Sequence, residues 1–111
     1  MSIRRGDVVW VDPGPTRGTE QAGRRPYLVI SHEVFNERLK TVIALALTSR
    51  APRMGYPLSR ELSSGVLPKR SWVKIGQVRT VSTLRLGRRI GRLDEQEVDA
   101  VVEGLLDIVG P

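Results

Sequence analysis

TVIALAL, Thr41 to Leu47, is the most apolar segment of this chain. Seven residues are the length of a central strand and short for a helix, although an unbroken apolar run carries no period of its own. Upstream, Ser31 is placed to cap a short helical stretch through Leu39, with Val34 and Phe35 on one side. Before that, Pro26 to Ile30 (PYLVI) reads as a buried strand and Asp7 to Val11 (DVVWV) as a first strand. The two are joined by DPGPTRGTEQAGRR, Asp12 to Arg25, whose 14 residues include two prolines and three glycines. A connection that long inside a small domain is usually functional or disordered.

Downstream of the apolar run, SRAPRMGYPLSR (Ser49 to Arg60) is irregular, and a turn follows at Ser63 to Gly65. Ser71 to Val78 (SWVKIGQV) reads as a strand with a bulge near Gly76. Leu84 and Leu86 share one helical turn, and Arg88 to Ile90 forms a last short strand. Short antiparallel strands joined by unequal loops predict a mainly β chain with α elements, closed as a small barrel. The clearest helix is the tail. Asp94 as N-cap with Glu97 three residues on resembles a capping box, and Val98, Val101, Val102, Leu105 and Val109 give the helix an apolar face. That face has two readings, packing on its own barrel or sharing in a dimer interface.

The 111 residues predict one domain, 1–111, with a modest core. There is no cysteine and a single histidine, His32, so thiol chemistry, disulfides, a cysteine-ligated zinc and a two-histidine acid/base pair within one subunit are all excluded. No metal site and no cofactor are expected. The opening MSIRRGDVVWV has no signal-like apolar run, and no stretch approaches the roughly 18 apolar residues of a membrane span, so a soluble, cytoplasmic protein is expected.

Net charge is +6, unevenly distributed: residues 1 to 93 hold all 18 Lys and Arg against six acids, and residues 94 to 111 hold six acids and no base. The body is therefore a polycation at +12 carrying an acidic tail at −6. Most of the cations are Arg, whose planar fork matches phosphate oxygens. A solvated surface and a nucleic-acid surface both fit this balance.

Several segments in this order resemble the MazF/PemK family of toxin ribonucleases. The match begins with RGDVVWVD (Arg5 to Asp12) and GPTRGTEQAGRRPYLVIS (Gly14 to Ser31), and continues with LTSR at Leu47, GYP at Gly55, SWVK at Ser71 and QVRT at Gln77. It spans nearly the whole chain. The resemblance implies an SH3-like barrel with appended helices, a homodimer, metal-independent cleavage of single-stranded messenger RNA, and an antitoxin whose flexible acidic segment covers the RNA surface. Pro13 stands where the family often has Phe, and Gly76 stands where an acid is common, so loop packing and RNA sequence preference are expected to differ from relatives.

In metal-free RNA cleavage the ribose 2′-hydroxyl attacks the adjacent phosphorus, and the protein stabilises the added negative charge and manages two proton transfers. Preorganised donors contribute on the order of 3 to 4 kcal/mol each to such a step. By resemblance Arg25, immediately before Pro26, is that donor, since proline holds the preceding residue away from helical geometry. An Arg that pairs with Glu20 or caps loop carbonyls is the structural alternative. Thr48, at the end of the apolar run, matches the family's Thr that supports the phosphate; a strand-end backbone cap is its alternative. Thr19, Glu20 and Gln21 in the long loop, with Gln77 and Arg79 in QVRT, correspond to RNA-contacting positions.

Tyr56 is the candidate stacking platform, whereas Trp10 and Trp72, inside strands, are expected in the core or a dimer interface. Arg is too basic to serve as general base. His32 has suitable chemistry, but the family commonly has Asn or another non-titrating residue near there; an exposed histidine without a catalytic role is its alternative, and the proton acceptor is left open. Two other functions are compatible with this fold: a gyrase-poisoning toxin of the CcdB type, and a non-catalytic SH3-like RNA-binding module.

Overall fold

A computed structural model describes residues 2–12, 24–63 and 65–111. The apolar run lies at the heart of the sheet as β3, Thr41–Thr48, flanked by β2, Arg25–Val29, and β5, Trp72–Ser82. β1, Asp7–Val11, pairs on the far side of β2, and β6, Leu86–Arg92, on the far side of β1. A two-residue β4, Arg60–Glu61, completes the order β4-β5-β3-β2-β1-β6, and every pairing is antiparallel. The mainly β architecture with helices is as expected, but the ladder is open, with β4 and β6 at its edges rather than hydrogen-bonded to each other.

Both faces of this sheet are buried. Val8, Leu28, Leu45, Leu47, Val73 and Ile75 form one core beneath Val98 and Val101 of the C-terminal helix α2, Glu95–Val109. On the other face Val9, Val11, Tyr27, Val29, Val42, Ala44 and Val81 form a second core. The tail helix therefore packs on its own sheet, the first of the two readings of its apolar face, although Val109 at its end is exposed.

β5 serves both cores because its phase shifts midway. Leu45 pairs with Val78 but Leu47 pairs with Val73, so a step of two residues on β3 answers a step of five on β5. This is the irregularity expected near Gly76, and it is larger than a single extra residue. Gly76 donates its N–H to the Leu58 carbonyl at 3.1 Å, and a Cβ there would meet a Leu58 methyl at 3.1 Å. The strand also runs on to Ser82, four residues beyond the expected end, because Thr80, Val81 and Ser82 pair with Ile43, Val42 and Thr41.

Other boundaries move for local reasons. Helix α1, Glu33–Leu39, starts one residue late: His32 holds the N-cap position, while the Ser31 hydroxyl accepts from Ile43 N at 2.9 Å and donates to the Asn36 side chain. Asn36 in turn donates to the Ile3 and Ser31 carbonyls, which ties α1 to the N-terminal segment. Thr83–Arg85 makes a single 3₁₀ turn, and Leu86 already belongs to β6. In α2 the Asp94 carboxylate caps Glu97 N at 2.8 Å as expected. The Glu97 side chain does not turn back to complete a capping box. It is buried and accepts from Ser63 N at 2.8 Å and Ser63 Oγ at 2.9 Å, joining α2 to the connection after β4.

Trp10 and Trp72 lie in β1 and β5 as expected but belong to neither core. Each is half-buried, with an Arg guanidinium over its ring: Arg24 at 5.6 Å and Arg70 at 5.1 Å. The amphipathic indole is satisfied between apolar strand and cation, a contact of about 0.5–1 kcal/mol at such sites.

The start of β1 depends on Asp7, which is fully buried. Its Oδ2 accepts from Arg4 N at 2.9 Å, and its Oδ1 stands 2.7 Å from the Arg92 guanidinium and 3.7 Å from that of Arg89, binding the N-terminal turn to β6. Gly6, at φ 99°, makes the turn into the strand in a backbone conformation that only glycine adopts without strain. Replacing the charge while keeping the shape, Asp7→Asn, is expected to destabilise the fold by about 3 kcal/mol, the low end for breaking a buried pair because the arginines retain solvent. A urea unfolding midpoint that moves down at unchanged slope checks this.

Candidate active site

The β2–β3 pairing decides which side chains meet. Tyr27, Leu28 and Val29 pair with Ala46, Leu45 and Ala44, and continuing that register sets Arg25 opposite Thr48. Residues two apart on a strand share a face. Arg25 thus stands in line with Tyr27 and Val29, and Thr48 with Ala46 and Ala44, at the rim of the second core.

Arg25 and Thr48 both line one cavity of about 260 Å³, together with Pro26, Leu47, Ser49, Leu67, Pro68, Lys69 and Ser71. The start of β2, the end of β3 and the connection into β5 supply this lining. The Thr48 Oγ1 accepts from Arg50 N at 3.1 Å, so the strand-end cap is made. That bond orients the hydroxyl and uses its lone pair, leaving the O–H to donate. Cap and site are therefore compatible roles of one side chain. Arg25 is exposed at the strand's first residue, with Pro26 behind it.

The remaining candidates divide. Thr19, Glu20 and Gln21 lie outside the described residues, as does Pro13. Arg79 is on β5 and donates to the Tyr27 hydroxyl at 3.3 Å, so it connects to β2 on the same side of the sheet as Arg25. It lines a neighbouring depression with Val11, Asp12, Thr80, Val81, Ser82 and Arg85 rather than the Arg25 cavity itself. Gln77 is exposed within the shifted segment of β5.

Tyr56 is not brought to this cavity. It is 49 % exposed, lies against Gly104 of α2, and its hydroxyl donates to the Ala100 carbonyl at 3.3 Å. Partial desolvation, with the Asp107 and Glu103 carboxylates nearby, pushes its phenol above the ordinary range, which keeps it a donor. His32 is exposed and lines a separate cavity with Arg5, Arg92, Asp94 and Glu95, away from Arg25 and Thr48.

Sequence reasoning missed Lys69 and Ser71. Lys69 is the second charged side chain lining the cavity, and the buried Ser71 donates its hydroxyl to the Lys69 carbonyl at 2.9 Å. The signal was available in part: LPKRS places two cations immediately before a strand, as GRRP does before β2.

A family model described as PemK-like, MazF-like toxin of type II toxin-antitoxin system matches residues 4–109. The chain is 34% identical over 107 residues to Endoribonuclease EndoA of Bacillus subtilis, covering 95% of this chain and 92% of that protein. Its fold is similar to that of MazF from Deinococcus radiodurans, with a TM-score of 0.81 at 27% identity over 100% of this chain and 99% of that one. A chain of the MazE–MazF complex from the same organism gives 0.84 at 27% identity, covering 99% and 97%. With a family model running across nearly all of its length and a relative of the same kind aligned end to end, the chain belongs to the PemK-like, MazF-like toxins of type II toxin-antitoxin systems.

Proposed function

We propose that the protein is an endoribonuclease that cuts single-stranded RNA at a short sequence by attack of the ribose 2′-hydroxyl, with Arg25 and Thr48 at the scissile phosphate. The observation that carries this reading is that these two side chains, distant in sequence, line one cavity. The similarity to an endoribonuclease supports the reaction class. The cavity's polar side chains are Arg, Thr, Ser and Lys. Among the described residues, such a set donates hydrogen bonds and positive charge to phosphate oxygens and offers no carboxylate or imidazole to a cation, which supports a metal-independent reaction.

In this mechanism the 2′-oxygen forms a bond to phosphorus as the bond to the 5′-oxygen breaks. A 2′,3′-cyclic phosphate and a 5′-hydroxyl result, and the proton lost at the first oxygen is balanced by one gained at the second. The Arg25 guanidinium stabilises the doubly charged phosphorane and the Thr48 hydroxyl donates to a non-bridging oxygen. Thr19, Glu20, Gln21, Gln77 and Arg79 contact the flanking nucleotides, and Tyr56 stacks only on RNA that reaches as far as α2. The protein works as a single cytoplasmic domain in a homodimer, held inactive by an antitoxin whose acidic segment covers the basic surface; a MazF of similar fold is seen in complex with MazE.

Purified protein incubated with a long RNA in EDTA is expected to yield discrete fragments with 5′-hydroxyl ends. Arg25→Ala is expected to lower kcat by about 10²–10³-fold, the effect of removing one oxyanion donor, without moving Tm, since the side chain is exposed. Loss of cutting on chelation would overturn the metal-independent reaction. Intact RNA with gyrase-dependent DNA breaks, or RNA binding without fragments, would overturn the ribonuclease itself. For Thr48 the conservative pair is informative: Thr48→Ser keeps the hydroxyl and is expected to stay within a few-fold of wild type, while the isosteric Thr48→Val loses about 10²-fold, read by initial rates on a short labelled oligonucleotide.

A further inference from the structure

Two basic pairs frame the cavity, and in each one the cations part company. In the pair that opens β2, Arg24 lies over the Trp10 ring while Arg25 lines the cavity. In the pair that precedes β5, Arg70 lies over the Trp72 ring while Lys69 lines the cavity. Arg70 is further engaged by Glu61, with Nε to Oε2 at 2.7 Å and Nη2 to Oε1 at 2.9 Å. That fork holds the Glu61 carboxyl below its usual range and occupies Arg70 on the outer surface.

We infer that Lys69 is a second phosphate-contacting residue of the active site, supplying positive charge to the cavity that Arg25 also lines. This rests on the ribonuclease reading and adds to it a residue that neither the Arg25 nor the Thr48 assignment provides.

The backbone that carries Lys69 is held from three directions. Before it, Ser63 is bound through both N–H and hydroxyl to the buried Glu97 carboxylate of α2. Leu67 and Val66 pack on the core that α2 covers. After it, the buried Ser71 hydroxyl takes the Lys69 carbonyl itself, and Ser71 is fixed by its own carbonyl accepting from Leu62 N at 2.9 Å. An ammonium on a long flexible stem gains most for catalysis when its backbone is already fixed, because less freedom is lost on meeting the transition state. Arg25 presents a planar fork at the start of β2, and Lys69 a compact charge with three donors. A phosphodiester between them has non-bridging oxygens for both, and neither cation takes part in bond making.

The test compares Lys69→Ala, Lys69→Gln and Lys69→Arg with wild type and Arg25→Ala, using a cleavable oligoribonucleotide and the same strand with a 2′-deoxy sugar at the scissile position. Lys69→Ala is expected to lower kcat about 10–100-fold with Tm unchanged. Lys69→Arg recovers most of that rate and Lys69→Gln does not, since charge is the quantity required. On the uncleavable strand, Lys69→Ala and Lys69→Gln are expected to reduce the slope of log affinity against log salt by about 0.7, one phosphate contact. An Lys69→Ala protein within twofold of wild type in kcat and equal in salt slope overturns the inference, as does Lys69→Gln matching Lys69→Arg. If wild type leaves RNA whole, the ribonuclease reading fails, and the salt slope on the uncleavable strand still decides whether Lys69 meets a phosphate. If Arg25→Ala abolishes cutting while Lys69→Ala is unaffected, only the inference fails.

Discussion

The register of β2 on β3 governs the rest of this molecule. Because strand side chains alternate, a slip of one residue would exchange the two faces of the pair. Here both faces are committed: Leu28 and Leu45 meet in the core under α2, while Val29 and Ala44 meet in the core on the other side. A slipped pairing would displace side chains from both at once, so the register is fixed by two independent packings. The meeting of Arg25 and Thr48 at the end of the pair follows from that packing and needs no contact between the two side chains. Hydrophobic burial several residues away thus decides which polar side chains come to the cavity.

The many arginines are divided between structure and surface. Two fully or nearly buried acids take the structural share: Asp7 joins the N-terminal turn to Arg92 of β6, and Glu97 stands 3.9 Å from Arg60 while holding Ser63. Glu61 and the two tryptophans take further cations, Arg70 and Arg24. An excess of positive charge would by itself favour an expanded chain. Tying selected guanidinium groups to carboxylates and rings offsets part of that repulsion and leaves the surplus at the surface. The acidic tail fits the same division, since α2 turns Glu95, Asp99, Glu103 and Asp107 outward and buries only Glu97 beside Val98 and Val101.

Much of this was readable from residue order. The apolar run gave β3, the β-branched run DVVWV gave β1 with its bounds, and Asp94 marked the start of α2 because a carboxylate cap and an apolar helical period both begin there. Arg25 and Thr48 came from resemblance, and no periodicity would have singled them out. What stayed hidden has physical causes. β4 is two residues long and exists through pairing with β5, so it has no local signature. Ser31 has the chemistry of a helix cap but finds a stronger use between β3 and Asn36. Glu97 has the spacing of a capping box, yet a tertiary partner more than thirty residues away outbids the local one. Of the two places expected for the tryptophans, core or dimer interface, the core is not where they lie, and the neighbouring arginines that cover them are evident only in three dimensions. Lys69 escaped notice because a lysine in a loop is ordinary until the loop is seen to line the same cavity as Arg25.

The phase change in β5 links the two halves of the interior. Val73 and Ile75 belong to the layer beneath α2, and Val81, farther along the same strand, belongs to the opposite layer. A single rigid ribbon thus threads both hydrophobic compartments, with Gly76 near the crossing. Loosening either compartment therefore disturbs the strand that both share, a coupling of the kind that lets a small domain unfold as one cooperative unit.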